Sequence, residues 1–198
     1  HRGEHSVLAA RRHDGPPVVQ KPHYPEGDGI CHAIIVHPPG GIAGGDALEM
    51  SADLGVDSSA LLTTPGATKW YRSASAWARQ QIHFTVSPGA SLEWLPQESI
   101  VFDGARADAH LAVEIKGDGA FIGWEILCLG RTGSAERFNR GQWRSHTTVK
   151  RDGKLLWFER ARLEGNDRVL EAPAVMAGEP VVATLLAASG KLTPQLLA

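Results

Sequence analysis

The stretch from His37 to Ser73, HPPGGIAGGDALEMSADLGVDSSALLTTPGATKWYRS, constrains this chain more than any other part of it. It sets Pro38-Pro39, Gly40-Gly41 and Gly44-Gly45 close together and closes the run on Asp46. Proline fixes φ and removes a backbone donor, whereas glycine opens φ > 0 and lets another backbone come close. Such a run specifies an unusual backbone path and leaves one carboxylate at its end. An ordinary soluble domain does not need so much backbone instruction in one place.

Elsewhere, short apolar runs alternate with turn signals. The turns are Tyr24–Gly29, Ser87-Pro-Gly89, Phe102-Asp-Gly104, Gly117-Asp-Gly119 and Arg151-Asp-Gly153. Between them the composition favours strands over Ala33–Val36, Gln81–Val86, Ala109–Ile115, Ala120–Leu129, Gln142–Lys150 and Lys154–Leu163. The pattern is all-β with hairpins, and Asp152-Gly153 is the strongest hairpin signal. Helix signals are few: Ala74–Gln80 reads as a short helix or turn, and Thr193–Ala198 as a helix start. Three segments align at a spacing of about 30 residues: Ser59–Pro65, Ala90–Pro96 and Ala120–Ile126. That alignment matches Thr63, Trp94 and Trp124, with Lys154–Arg160 as a fourth copy. Such a period predicts stacked β-sheets in a β-superhelical, solenoid-like arrangement with one or two short helices. No linker divides the chain, so 1–198 reads as a single domain. Arg131–Gly141 is its longest polar loop.

Composition narrows the function classes. There are 20 basic and 22 acidic residues, so neither nucleic acid nor a membrane surface is indicated as a partner. No apolar run approaches a spanning helix, and no signal peptide is visible. The two cysteines, Cys31 and Cys128, lie in strand-like runs and read as buried free thiols, which points to a reducing cytoplasm. Cys31-His32 makes a poor chelate, because adjacent strand residues face opposite ways. Neither a phosphate-binding Gly-x-x-x-x-Gly-Lys-Ser/Thr loop nor a Gly-x-Ser-x-Gly elbow is present.

Alternation along the strands singles out two glutamates. Glu159 shares a face with Leu155, Trp157, Ala161 and Leu163, and Glu125 shares one with Phe121, Leu127 and Leu129. In the repeat alignment the two glutamates fall at the same position. A charged carboxylate in a dry core is prohibitively costly, so each must meet an arginine or line a wet cavity. Asp46 is the third carboxylate, and its simplest role is to close the turn after Gly44-Gly45. The nine histidines are scattered, with no His-x-His or His-x-x-x-His pair, so no preformed metal cage is offered. His37 precedes two prolines, where a turn role and a transient ligand role both stay open. Trp70-Tyr71-Arg72 and Trp77 suit an interface as well as a core, whereas Trp94, Trp124 and Trp157 read as core.

Several of these phrases occur together in one known family. His37-Pro-Pro-Gly-Gly41, Gly44-Gly45-Asp46, Leu61–Ser73, Leu92-Glu-Trp-Leu-Pro-Gln-Glu98 and Cys128-Leu-Gly-Arg131 resemble the urease accessory protein D family, and the likeness runs from about Ser6 to Leu186. Family members usually continue past Ala198, so the likeness is expected to be incomplete at both ends. The resemblance implies a stacked β-superhelix and a non-enzymatic chaperone. It implies binding to apo-urease and to accessory protein F, and through F to the GTPase accessory protein G. It further implies passage of Ni²⁺ to the urease active site, with no tightly bound cofactor. It favours a polar lumen over salt bridges for Glu125 and Glu159. Asp46, Thr68 and His37 join that path, and Lys69, Trp70, Tyr71, Arg72, Trp77 and Arg131 become candidate partner contacts. Two other readings stay open: a β-fold interaction module with no metal role, and an enzyme using the Glu125/Glu159 carboxylates for acid–base work.

Overall fold

A computed structural model of the chain describes residues 5–190. Fourteen strands and two short 3-10 turns, Thr132–Ser134 and Arg168–Glu171, make up the regular structure of these residues. The strands are β1 (Val18–Val19), β2 (Ile30–Val36), β3 (Gly41–Ile42), β4 (Ala47–Leu54), β5 (Ser59–Thr63), β6 (Thr68–Trp70) and β7 (Ala78–Val86). They continue with β8 (Ser91–Trp94), β9 (Ser99–Val101), β10 (Arg106–Ile115), β11 (Ala120–Leu129), β12 (Gln142–Arg151), β13 (Lys154–Glu164) and β14 (Val181–Ala188).

The strands stack as successive coils. Each of the first three coils runs through two short strands of one sheet and then a long strand of the other: β2-β3-β4, β5-β6-β7, β8-β9-β10. In the fourth coil a single continuous β11 pairs with both β8 and β9, and β12 follows in the opposite sheet. Coil-to-coil pairing is parallel throughout, as in β2 on β5, β5 on β8 and β8 on β11, and in β4 on β7, β7 on β10 and β10 on β12. The result is a nine-stranded sheet packed on a five-stranded one. Antiparallel β13 and β14 finish the stack, against β12 and β11 respectively.

The all-β solenoid expected from the repeat is the fold observed, with four local corrections. Most turn signals carry the chain from one sheet to the other rather than forming hairpins. Asp152-Gly153 does form one, with both residues at positive φ, 48° and 76°. The repeat register is Leu62–Trp94–Gly123, not Thr63–Trp94–Trp124. Lys154–Arg160 is not a fourth copy, because β13 runs antiparallel to β12 in the five-stranded sheet. Residues 78–80 of the suggested helix or turn begin strand β7 instead. Thr193–Ala198 lies outside the described residues.

Two apolar cores form between the sheets. One gathers Leu62, Ile82, Phe84, Leu92, Trp94, Ile115, Phe121 and Val149 among others. The second gathers Ile42, Trp70, Val101, Ala107, Leu127, Leu129, Trp143 and Leu163. Along a single strand the inward positions pass from one core to the other. On β11 they are Phe121, then Gly123 and Glu125, then Leu127. On β12 they are Val149, then Thr147 and Ser145, then Trp143. The inward residues between the cores are therefore polar or small.

The Pro-Gly segment forms the corner of the first coil. Pro38-Pro39 occupy a turn closed by the Gly40 N–H donating to His37 O at 2.8 Å. Gly45 takes φ 101°, outside the reach of most L residues. A Cβ on Gly41 would sit 2.6 Å from Lys69 O and from the Tyr71 ring, because β6 passes directly beneath. Gly41→Ala is therefore expected to destabilise the fold by roughly 2–3 kcal/mol through overpacking. Gly66→Ala, at a site with nothing within 4 Å, should stay within about 0.5 kcal/mol of the parent. Urea denaturation midpoints of the two variants check this.

Candidate functional site

A cavity of about 950 Å³ lies between the sheets and beneath the N-terminal segment. Strands of both sheets line it, with Leu62, Ile82, Trp94 and Leu111 on its apolar side. Its polar lining includes His37, Thr68, Lys69, Gln80, Ser99, Thr147 and Glu125. The polar layer between the two cores thus opens onto this space.

Glu125 projects inward from β11, with Gly123 and Leu127 as its same-face neighbours and Thr184 of β14 as its cross-strand partner. Its carboxyl pKa is pushed from the ordinary 4.5 to about 7, first by burial and second by the negative charge of Glu159. Glu159 stands on β13, opposite Thr147 of β12. Its charge acts on Glu125 from the other sheet, not along one ladder of the repeat. No ion pair neutralises either of them among the described residues. Glu125 lines the cavity, whereas Glu159 does not.

His37 lines the same cavity, and burial lowers its pKa from 6.5 while the charge of Asp46 acts to raise it. Its imidazole is neutral at pH 7, which is the form that can bind a cation. Asp46 itself is exposed and caps its own turn. Its Oδ2 accepts the Ala43 N–H at 2.9 Å and its own N–H donates to Ala43 O at 3.0 Å. It does not line the cavity and stands apart from Glu125 and Glu159. Thr68 lies on the cavity wall, and its N–H donates to Glu98 O at 2.9 Å. No group of three or more His, Cys, Asp or Glu side chains among the described residues is placed to hold a metal ion.

The candidate partner contacts divide. Trp70 is fully buried, edge-on to Trp143 at 5.4 Å, and so is a core residue rather than a contact. Lys69 faces the cavity. Tyr71 packs on Phe102 at 5.3 Å, and the Arg131 guanidinium lies 4.3 Å from the centroid of the same Phe102 ring while donating to Glu136 through two nitrogens. Arg72 is exposed, and its Nε donates to Asp103 O at 3.3 Å. Tyr71, Arg72 and Arg131 thus gather around one loop cluster. Trp77 lies elsewhere, beneath the guanidinium groups of Arg106 and Arg144. Trp157, expected in the core, is 42% exposed because β13 is the edge of its sheet. His110 and His146, far apart in sequence, meet with ring centroids 5.4 Å apart. Only the parallel register of β10 and β12 brings them together, so no spacing rule could have found the pair.

A family model described as UreD urease accessory protein matches residues 1–198. The chain belongs to the UreD family. It is 56% identical over 196 residues to a urease accessory protein UreD of Azoarcus sp. (strain BH72), covering 99% of this chain and 69% of that protein. It is 53% identical over 186 residues to the UreD of Dechloromonas aromatica (strain RCB), covering 94% and 65%. With the UreD of Pseudomonas aeruginosa PAO1 the identity is 49% over 195 residues, covering 98% and 69%. The chain therefore spans about two thirds of the length of these relatives. The family is one of urease accessory proteins rather than enzymes by its description. Among the described residues, no helix is long and apolar enough to cross a membrane.

The raised Glu125 pKa carries a stability signature. Between pH 4.5 and about 7 the folded chain holds a proton that the unfolded chain has lost. Stability from this group is therefore complete below 4.5 and falls as pH rises toward 7. Glu125→Gln, always neutral, should match the parent closely at pH 5 and exceed it by roughly 2–3 kcal/mol at pH 8. Paired urea denaturation curves at the two pH values measure the gap.

Proposed function

We propose that this UreD protein acts in urease maturation as a non-enzymatic scaffold whose interior gives Ni²⁺ a polar route. It binds apo-urease and accessory protein F, and through F the GTPase accessory protein G. The observation that supports this is Glu125, which lies between two apolar cores, feels the charge of Glu159, has no ion-pair partner among the described residues and lines a cavity that His37 and Thr68 also line.

The chemistry suits a cation that must leave again. Carboxylate oxygens and one neutral imidazole, spread along a cavity, hold a hydrated dication loosely. A micromolar site corresponds to about −8 kcal/mol, whereas closed structural metal sites reach roughly −10 to −16 kcal/mol. Most of that difference appears as residence time. A four-ligand cage would retain the ion, and widely spaced oxygens pass it on. Nickel is the cargo of this reading and not a resident cofactor. GTP hydrolysis belongs to the partner, since the sequence has no phosphate-binding loop of its own.

Glu125→Ala and Glu159→Ala are expected to lower urease activation at least tenfold while the variants still assemble with apo-urease and accessory protein F. Nickel content of the matured urease, measured alongside co-purification of the complex, separates transfer from assembly. Loss of assembly in both variants would assign the two glutamates to the fold alone. Asp46→Ala should act differently, weakening stability by about 1 kcal/mol through loss of the turn cap and leaving nickel transfer by the folded protein intact.

A further inference from the structure

The outer face of the five-stranded sheet carries a second constellation that the cavity does not use. Inward positions on β10, β12 and the second half of β13 are odd-numbered, so the even-numbered ones face out, and on β7 the odd-numbered ones do. One row across the sheet is Arg79, Asp108, Arg144 and Arg162, and the next continues through His110, His146 and Arg160. Trp77 lies just before β7, with the Arg144 guanidinium 4.0 Å and the Arg106 guanidinium 4.9 Å from its ring centroid.

Charge on this half-face departs from that of the chain. The formal net charge of the whole is −2, yet five arginines here face three carboxylates, those of Glu49, Asp108 and Glu164. Asp108 is engaged with His110 at 3.0 Å, and Glu164 is paired with Arg162. Arg79, Arg106, Arg144 and Arg160 make no ion pair among the described residues. The same face continues into Phe158, 55% exposed, whose ring meets His146 at 5.1 Å, and the adjacent register shift in β13 leaves Leu156 50% exposed beside it. A guanidinium stacked on an indole is held in place yet keeps its in-plane N–H donors free for a carboxylate. Aromatic and arginine residues around an exposed apolar centre are the composition of a protein-binding hot spot. Nucleic acid fits less well, because Asp108 and Glu164 stand inside the patch and Leu156 and Phe158 offer nothing to a phosphate backbone.

We propose that this face docks an acidic surface of one protein partner of the maturation complex, an inference that rests on the accessory role above. The guanidinium groups of Arg106 and Arg144 take carboxylates of the partner, and Phe158 and Leu156 take its apolar rim. Arg79 and Arg160 raise the local potential and speed encounter.

The test measures binding of the full-length protein to purified apo-urease and to purified accessory protein F, each at low and at moderate salt. Arg106→Gln/Arg144→Gln should weaken binding to one of the two at least tenfold and flatten its salt dependence, with the other unaffected. Arg79→Gln/Arg160→Gln, at exposed positions where folding is not at stake, should slow association with that same partner several-fold. Lys154→Gln, at the far end of β13, should change nothing. Unaltered binding and salt response by both double variants would overturn the docking face and leave the accessory role standing. Failure of the parent protein to bind either partner would overturn the accessory role and this inference with it. If the double variants instead lost binding only to a duplex oligonucleotide, the face would be a nucleic-acid site and the inference would fall.

Discussion

The parallel backbone ladder between coils is the interaction on which everything else rests. Once Ser59 pairs with Ile30 and with Ser91, and Ser91 with Ala120, each level of one coil lies on the same level of the next. Period-two alternation then sends equivalent residues of every coil to the same side. Layers follow: Leu62 and Trp94 in one core, Trp70 and Val101 in the other, with polar and small residues at the level between. A slip of one residue would turn each of these side chains to the opposite face. The corner at Pro38–Asp46 protects the register, since β6 comes within contact of Gly41 and tolerates no side chain there.

A solenoid with two apolar cores and a polar layer between them is less stable than one with a continuous core. Glu125 illustrates the penalty. Its burial and its acidic neighbour both oppose ionisation, and the carboxyl answers by holding a proton up to about pH 7. Function, rather than folding, is the simplest reason for a chain to keep such a pair, because apolar residues of similar size would stabilise the same level.

Much of this was legible in the sequence, for identifiable reasons. Strand positions followed from turn chemistry: Ser87-Pro-Gly89, Gly117-Asp-Gly119 and Asp152-Gly153 each end a strand where glycine or aspartate requires it. The period near 30 residues announced a solenoid because every coil reuses the same corner chemistry. Glu125 stood out as an acid in phase with core residues, and it does project inward. Register was harder, because Thr63, Leu62, Trp94 and Trp124 are all acceptable β formers and alternation alone does not choose between adjacent alignments. Partnerships between residues far apart in sequence were invisible: the charge of Glu159 acts on Glu125, and His146 meets His110, only after the coils close. The exposure of Trp157 reflects an edge, which no local pattern reports. Asp46 misled for a related reason. The same Gly-Gly-Asp phrase fits a turn cap and a site carboxylate, and here the side chain satisfies the Ala43 N–H.

The interior and the outer arginine face obey opposite electrostatic rules, and the contrast assigns them different tasks. Inside, burial and the charge of Glu159 both favour the protonated form of Glu125. On the proposed route a dication entering this layer supplies the missing charge, and the carboxyl proton passes to water. Outside, positive groups are held apart on the sheet, with Arg106 and Arg144 half-buried over Trp77 and Arg79 and Arg160 exposed, and in the proposed docking a facing surface of carboxylates completes them. The proposed ion route and the proposed docking face share one solenoid. The ladder that aligns Arg79, Arg144 and Arg162 in a row is the same ladder that sets Glu159 opposite Thr147.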